Sequence, residues 1–464
     1  MSFQSLEFLA FLAVSVPACL LAGRKSRSAG KTCLLLFSLL FCFRSGGFGV
    51  LGAGVVVSVL AVRYLTSGKG EAGRKKVLAA ACAYHIAVLC AFQYLPLGWS
   101  PVGISFFTFQ QLWLVKEAYT RQFRPNTTED LLLHAAFFPT LTSGPILRPG
   151  SFFPQLGSET FLRPHWQDTA AGLYAICIGM GKKVLLADPL GTLVNNGWAA
   201  VDTLSAPVAW LVMLGYTLQL YLDFSGYCDI ATGIARMLGI RLPANFNSPY
   251  HARSVTEFWK RWHITLTTFL RECLYFPLGG SRKGTKRTYL NILLVFLVSG
   301  IWHGAGWTFI VWGLLHGLAQ VAERALGRRG GRLPKWAQWA ATFLFVNLAW
   351  VFFRAPSLSA AGQLFSAALS GGWGLPLEAL TVGILDSEVT ALTTVLPALG
   401  RFMPALLTAA LLGGGMTVVL WPKNTLEQME NFRPRVLHGL LLAVVLVWAI
   451  LSFSSVAAFI YSNF

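Results

Sequence analysis

Residues 245–317 read NFNSPYHARSVTEFWKRWHITLTTFLRECLYFPLGGSRKGTKRTYLNILLVFLVSGIWHGAGWTFIVWGLLHG. This stretch contains four of the chain's eight histidines, His251, His263, His303 and His316, and a cluster of Arg and Lys in an otherwise apolar sequence. Because side chains capable of acid–base chemistry are concentrated here, we expect this stretch to carry the function.

The first half of the stretch has the signals of a helix start. Ser254 to Glu257 matches a capping box, which predicts that a helix begins at Ser254. Glu257 lies four residues before Arg261, a favourable order for an ion pair, and apolar residues recur at helical spacing. The pattern predicts an amphipathic interfacial helix that ends near Phe276 and is followed by a basic loop over 281–287.

The second half places a histidine between two apolar runs. Tyr289 to Trp302 is about fourteen residues, roughly 21 Å of helix, and a full span needs roughly 20 residues. We therefore predict a helix that does not cross the membrane by itself. An imidazole such as His303 at membrane depth is costly unless it lines a cavity, which makes it a candidate functional residue. Gly304 and Gly306 would allow a helix break beside it.

The composition is that of a membrane protein. Of 464 residues, 55% are hydrophobic and 12% charged, which favours one integral membrane domain over residues 1–464. The net charge of +18 comes from Lys and Arg in short loops between apolar runs, as the positive-inside rule expects. No basic domain carries a nucleic-acid-binding motif, so a nucleic-acid partner is not expected. The cysteines lack metal-ligand spacing, so we expect no metal site.

The apolar runs predict an all-α polytopic membrane protein with about 10–12 transmembrane, re-entrant and interfacial helices. A broken, re-entrant or interfacial element is expected at 131–146. A loop is expected at 150–168, and an extended loop with short interfacial helices is expected at 356–400. Basic residues at 24–27 and at Arg324, Arg328, Arg329, Arg332 and Lys335 form further loops. Spans are predicted at 6–22, 32–43, 47–62, 77–95, 336–353, 403–420 and 437–460. Helices are predicted at 104–121, 169–180 and 206–222, and a further apolar run follows Trp307 and ends at Ala322.

Two carboxylates follow the apolar run at 206–222. Asp223 and Asp229 could be catalytic, because buried carboxylates are expensive and often functional. The alternative, which we favour, is a helix-end cap or an ion pair with Arg236 or Arg241.

Several motifs together resemble a known family. They are NFNSPY, EFWKRWHITL, LYFPLGGSRKGT and LVSGIWHGAGWTFIVWGLLHG, preceded by GISFFTF, FFP with SGPI, GKKV and DFSGY. The chain resembles the membrane-bound O-acyltransferase (MBOAT) family, in its bacterial branch of alginate O-acetylation and teichoic-acid D-alanylation proteins. The motifs follow the family's order over about residues 100 to 320, and the terminal motif FIYSNF at 459–464 keeps only part of the family's aromatic tail. The resemblance implies a helical bundle around a central tunnel, with N-terminal spans at 1–99, the catalytic core at 100–322 and C-terminal spans at 323–464.

The resemblance also implies a set of site residues. His303 falls on the family's catalytic histidine, and an imidazole can take a proton from a hydroxyl near neutral pH. His263 falls on the second characteristic position and would orient the acyl carbonyl or His303, although a purely structural role stays open. His316 lies thirteen residues beyond His303, roughly 20 Å along a helix, and is expected to be structural or at an entrance. The residues expected to bind substrate are Asn247, Trp262, Trp302, Asp223, Arg282 and Lys283.

Alternatives remain for some of these residues. The tryptophans could line an acyl channel or anchor the protein at the interface. The basic loop with Arg282 and Lys283 could meet the phosphates of a donor or anionic lipid headgroups.

The function implied is O-acylation across a membrane. The acyl group, expected to be acetyl, would come from acetyl-CoA or an acyl-carrier thioester as co-substrate, without a permanently bound cofactor. The acceptor would be an extracellular or cell-wall polysaccharide, reached with an extracytoplasmic partner of the SGNH type. The location would be the bacterial cytoplasmic (inner) membrane. Alternatives are D-alanyl transfer from a carrier protein to teichoic acid, a non-catalytic scaffold, or a transporter, although the repeat with paired broken helices that favours a transporter is not found.

Overall fold

The fold was analysed in a computed structural model, which describes residues 1, 3–68, 70–123, 127–327, 333–421 and 423–455. The predicted loop residues Arg328, Arg329 and Arg332 and the tail at 459–464 lie outside the described residues. Regular structure in the described part of the chain is entirely helical, which confirms the all-α prediction.

The N-terminal part is a set of four helices that pack against the core. Ser26 both ends the first helix and caps the second, where its hydroxyl accepts a hydrogen bond from the Ala29 amide (3.0 Å). The third and fourth helices pack on the first core helix. The four helices are α1 (Leu6–Lys25), α2 (Arg27–Arg44), α3 (Phe48–Thr66) and α4 (Glu71–Tyr94).

The central part carries the motifs. Its α-helices are α5 (Ile104–Tyr119), α6 (Thr128–Ala136), α7 (Phe138–Leu141), α8 (Pro149–Leu156), α9 (Trp166–Met180), α10 (Asp188–Ala199), α11 (Ala206–Met237), α12 (Val255–Arg261), α13 (Ile264–Leu270), α14 (Thr285–His303) and α15 (Trp307–Leu326). Two π-helical segments, Gly181–Ala187 and Arg271–Tyr275, interrupt it, and 3₁₀ turns occur at Val201–Thr203 and Pro249–His251.

The C-terminal part closes the bundle. It contains α16 (Lys335–Arg354), α17 (Leu358–Ser370), α18 (Glu378–Thr381), α19 (Asp386–Val395), α20 (Met403–Val419), α21 (Thr425–Glu430) and α22 (Val436–Leu451), with 3₁₀ turns at Pro397–Phe402 and Ser452–Ser455.

Six helical segments of the described residues are long and apolar enough to cross a bilayer. They are Leu6–Lys25, Phe48–Thr66, Glu71–Tyr94, Trp166–Ala199, Lys335–Arg354 and Pro397–Val419. Together with the shorter helices they form a multi-pass membrane protein, as predicted.

The longest helix, α11, lies at the centre of the bundle and packs on α9, α10, α16 and α20. The prediction that it ends before Asp223 was wrong, because it has 32 residues and continues to Met237. Asp223 and Asp229 stay inside the helix because lysines of the first π-helical segment neutralise them. Lys183 lies 2.7 Å from Asp223, and Lys182 lies 2.7 Å from Asp229.

The expected partners of these carboxylates were therefore also wrong. Arg236 pairs with Asp168 and Glu430 instead, and Arg241 is exposed. The structural interpretation of the carboxylates as ion-pair members is confirmed, with lysines as partners.

Three further boundaries differ from the predictions. Helix α14 begins at Thr285, inside the expected basic loop, so it has 19 residues rather than about fourteen, and its length is about 28 Å. The expected loop at 150–168 begins with α8, which starts on Pro149 at its first turn. The single interfacial helix expected from Ser254 to Phe276 is broken at His263, for a reason that lies in the site itself.

Candidate functional site

The break at His263 is created by the turn at 245–247. Ser254 caps α12 as predicted, accepting a hydrogen bond from the Glu257 amide (3.0 Å). The chain then leaves the helix, and His263 adopts a left-handed conformation with φ 43°, which is uncommon for a residue other than glycine. The turn fills the gap: the Ile264 amide donates to the Asn245 carbonyl, and the Asn247 amide donates to the Arg261 carbonyl, each at 2.9 Å. These bonds replace helical ones and stabilise the break.

The side chain of Asn245 fixes the imidazole of His263. Its Oδ1 accepts hydrogen bonds from the Thr265 hydroxyl (2.9 Å) and amide (3.4 Å) and lies 3.0 Å from His263 Nδ1. A backbone amide can only donate, so the atom facing it must be the amide oxygen. That oxygen in turn requires the proton of a neutral His263 ring to lie on Nδ1. Nε2 is then left with its lone pair.

His263 Nε2 is therefore a buried acceptor. The side chain is buried, and no hydrogen-bond partner for Nε2 occurs among the residues that the structure describes. Aromatic rings hold the imidazole: Phe224 meets it edge-on at 4.9 Å, and Phe106 stacks on it at 6.0 Å. The arrangement offers a lone pair to a hydroxyl or an imidazolium that enters the site.

His303 is the last residue of α14, as the motif predicted. Its ring packs against Trp302 (4.3 Å), edge-on against Trp312 (5.0 Å) and against Phe353 (4.9 Å). Helix α5 links it to His263: Phe106 of α5 stacks on the His263 ring (6.0 Å), and Phe109, one turn later, packs against Trp302 (4.9 Å). Both histidines therefore lie beside the same face of α5. The Trp302 carbonyl accepts a hydrogen bond from Gln93 of α4, which holds the end of α14.

The predicted helix break beside His303 is confirmed. Gly304 ends α14, and α15 begins at Trp307 and runs back along it. A side chain at Gly304 would meet the Phe309 ring at 2.4 Å, and one at Gly313 would meet the Phe296 carbonyl at 2.4 Å. Glycine is required at both positions because the two helices approach so closely.

A cavity of about 140 Å³ is lined by residues one helical turn from each histidine. It lies between α13, the second π-helical segment, α14 and α15. Thr267, one turn after His263, and Ser299, one turn before His303, line it, and Arg271 and Tyr275 line it farther along the chain from His263. Along α14 the lining runs from Ile292 to Ser299, about 10 Å.

The open tunnel expected at His303 is not present in this conformation. The His303 side chain is 2% exposed and His263 is 1% exposed. Neither histidine lines any of five cavities found among the described residues. Access to the imidazoles therefore requires side chains around them to move.

The predicted substrate-binding residues do not all meet at the histidines. Trp302 contacts His303, whereas Trp262 is buried against Trp350 (5.0 Å) and Phe246 (5.0 Å). Asn247 is exposed, and its side-chain oxygen accepts a hydrogen bond from Asn424 (3.0 Å).

The remaining predicted residues carry charge. Asp223 is paired with Lys183, which also lies 2.7 Å from Asp188. Arg282 and Lys283 are exposed in the loop before α14. The loop follows directly on Gly280, which lies beside the ring of the cavity residue Tyr275.

The distance of roughly 20 Å expected between His303 and His316 was based on a continuous helix, which the structure breaks at Gly304. His316 is fully buried, and its Nδ1 accepts a hydrogen bond from the Trp259 indole (3.1 Å). Trp312 separates it from His303, contacting both rings at 5.2 and 5.0 Å.

Sequence reasoning missed Asn245 and the two cavity hydroxyls. Asn245 belongs to the NFNSPY motif, but the motif alone does not tell which asparagine turns inward. Thr267 and Ser299 lie one turn from a histidine on their helices, a spacing that could have indicated a shared face. Among the described residues, no group of three or more His, Cys, Asp or Glu could hold a metal ion.

Comparison with known proteins identifies the fold. Residues 80–358 match the membrane-bound O-acyltransferase (MBOAT) family model, and this region includes both histidines of the site. The chain belongs to the MBOAT family. It is 42% identical over 290 residues to the peptidoglycan O-acetyltransferase of Helicobacter pylori, covering 56% of this chain and 55% of that protein.

Other relatives are named for different polymers. The chain is 42% identical over 299 residues to a Pseudomonas aeruginosa protein named "Probable alginate O-acetylase AlgI", covering 61% of this chain and 56% of that one. It is 29% identical over 223 residues to the teichoic acid D-alanyltransferase of Bacillus subtilis, covering 46% and 56%. The chain thus spans about half the length of the curated relatives it matches.

Proposed function

We propose that this MBOAT protein transfers an acetyl group from a thioester donor to a hydroxyl of a cell-envelope polysaccharide. One observation carries the proposal: two buried imidazoles at helix ends lie beside the same helix, α5, and a cavity lies one helical turn from each of them. A histidine pair of this kind can move a proton within an apolar site, which acyl transfer to a hydroxyl requires.

His303 is the proposed general base. It takes the proton of the acceptor hydroxyl as the hydroxyl oxygen attacks the thioester carbonyl carbon. The new C–O bond forms, the C–S bond breaks, and the imidazolium returns its proton to the leaving thiolate. The base is regenerated, and no oxidant or metal is consumed.

His263 is the proposed orienting group. Because Asn245 holds the proton of its neutral ring on Nδ1, His263 Nε2 can accept a hydrogen bond from the acceptor hydroxyl or from the His303 imidazolium. This interaction would keep the hydroxyl aligned for attack, and alignment is a major source of catalysis.

The donor is proposed to enter along the 140 Å³ cavity. Its walls are largely apolar, and Arg271 and Tyr275 are among its lining residues. The basic loop with Arg282 and Lys283 follows Gly280, which lies beside the Tyr275 ring. A donor with phosphates and a thin acyl-bearing arm, such as acetyl-CoA or an acyl-carrier thioester, matches this distribution of charge. By the positive-inside rule, the basic loop faces the cytoplasm of a bacterial inner membrane.

The acceptor is proposed to be reached from the opposite face, with a separate extracytoplasmic protein of the SGNH type completing delivery to the polymer. The relatives named for acetyl transfer are 42% identical to this chain, whereas the one named for D-alanyl transfer is 29% identical. This difference favours acetyl over D-alanyl as the group transferred.

The test is a comparison of donors with the full chain in nanodiscs. Radiolabelled acetyl-CoA and a D-alanyl carrier-protein thioester would be supplied separately, and thiol release and acyl transfer to polysaccharide fragments would be measured. Acetyl-CoA should be consumed in an acceptor-dependent way. Consumption of only the D-alanyl thioester would shift the assignment to teichoic-acid alanylation, and consumption of neither, with and without envelope extract, would remove the acyltransferase proposal.

A further inference from the structure

A groove beside α22 is not used by the proposed reaction. Two cavities of about 580 and 540 Å³ lie between α9, the first π-helical segment, α20, α21 and α22. They share the lining residues Ile178, Lys423, Gln428 and Val445, so they adjoin and form one groove. None of its lining residues lines the cavity beside the histidines.

One end of the groove is cationic. Lys423, Arg433 and Arg435 line it there, and His438 lies beside them on the first turn of α22. Arg433 and Arg435 are both exposed. Glu427 also lines this part of the groove, and the three cations outnumber it, so the cationic end carries a net positive charge.

The rest of the groove is apolar. Leu441, Leu442 and Val445 of α22 form one wall, and Trp448 lies at its far end. Lys182 also lines this part, but its charge is matched by Asp229 at 2.7 Å. The charge and the apolar surface are thus separated along the groove.

The groove has the length of one membrane leaflet. From His438 to Trp448 it follows ten residues of α22, about 15 Å. A bilayer's hydrocarbon core is about 30 Å thick, so a leaflet contributes about 15 Å. The cationic end then lies at headgroup depth, and the apolar part lies along the acyl chains.

We infer that this groove binds an anionic phospholipid, with its phosphate at Arg433 and Arg435 and one acyl chain along α22. Clusters of Lys and Arg at the membrane surface attract anionic headgroups. The exposed face of α22 supports this occupant, because in the described part of that helix only Ala449 is buried by protein. The inference concerns a lipid and does not depend on the acyltransferase activity.

The test is native mass spectrometry of the full chain released from detergent, titrated with dioleoylphosphatidylglycerol, dioleoylphosphatidylcholine or inorganic phosphate. Each of the two charges should contribute about fivefold to binding. The double variant Arg433→Gln, Arg435→Gln should therefore bind phosphatidylglycerol about 30-fold more weakly than wild type. The control Lys75→Gln, Lys76→Gln removes two exposed charges from α4, far from the groove in sequence, and should bind like wild type.

A second variant tests the apolar part without changing charge. Val445→Trp places a large ring in the shared section of the groove and should reduce phosphatidylglycerol binding, with folding checked by size-exclusion chromatography and thermal unfolding. Equal binding of phosphatidylcholine and phosphatidylglycerol, or unchanged binding in both groove variants, would overturn the inference. Competition by inorganic phosphate alone would indicate a phosphate site rather than a lipid site and would also overturn it.

Discussion

Replacing Asn245 by leucine should lower turnover, although Asn245 is not one of the two proposed catalytic histidines, because its side chain positions His263. The amide oxygen of Asn245 accepts hydrogen bonds from the Thr265 hydroxyl and amide. It also lies 3.0 Å from His263 Nδ1 and accepts the hydrogen bond of the proton on that nitrogen. Leucine has a similar size but no acceptor. A buried donor left without a partner costs about 1–3 kcal/mol, so losing two of these bonds should destabilise the fold by about 2–6 kcal/mol.

The effect on catalysis has a separate origin. Without Asn245 the neutral His263 ring is free to carry its proton on Nε2, which removes the acceptor lone pair from the site. Removing the partner that orients a metal-ligating histidine costs about 10- to 100-fold, and we expect a fall in kcat of similar size here. KM for the thioester should change little, because Asn245 does not line the donor cavity.

The assay is acyl-thioester turnover per folded protein, with stability followed by thermal unfolding. Asn245→Asp keeps two acceptor oxygens and should lose less turnover than Asn245→Leu. Asn247→Leu is the matched comparison in the same turn, because its side chain faces Asn424. If Asn247→Leu lost more turnover than Asn245→Leu, the assignment of Asn245 as the positioning residue would be refuted.

Three further outcomes follow from the geometry. Lys183→Met leaves the buried carboxylates beside it without their counter-charge and should destabilise the protein by about 3–5 kcal/mol, measured by thermal or denaturant unfolding; unchanged stability would contradict the ion-pair account. Val295→Trp should fill the donor cavity and raise KM for the thioester. Val298→Trp lies on the exposed face of the same helix and should leave KM unchanged. Equal effects on KM would argue against the cavity as the donor path. Arg282→Gln should raise KM for acetyl-CoA by up to about tenfold at low salt and less at high salt; a salt-independent effect would exclude an electrostatic role.

The sequence predicts those features of the fold that depend on local signals. The capping box at Ser254, the ion pair of Glu257 with Arg261 (2.9 Å) and the break after His303 are all present. Each depends on residues within a few positions of one another. Apolar runs likewise predicted the multi-pass architecture, because twenty apolar residues have few stable alternatives to a membrane helix.

The errors arose where distant residues override a local signal. Asp223 looks like the end of α11, yet Lys183, forty residues earlier, allows the helix to continue. The helix expected across His263 is interrupted because Asn245 and Asn247 supply replacement hydrogen bonds from outside it. Neither contact has a sequence spacing that identifies it, so pattern reasoning could not have found the inward-facing asparagine.

Acyl-thioester turnover by His303→Ala in nanodiscs tests the central claim most directly. The account predicts a loss of about 10²- to 10⁴-fold, the usual contribution of a general base, in protein that remains folded. His316→Gln is the matched control, because it alters another buried histidine against Trp312 but keeps an acceptor for the Trp259 indole. Turnover at the wild-type rate by folded His303→Ala, or an equal loss in His316→Gln, would contradict the account.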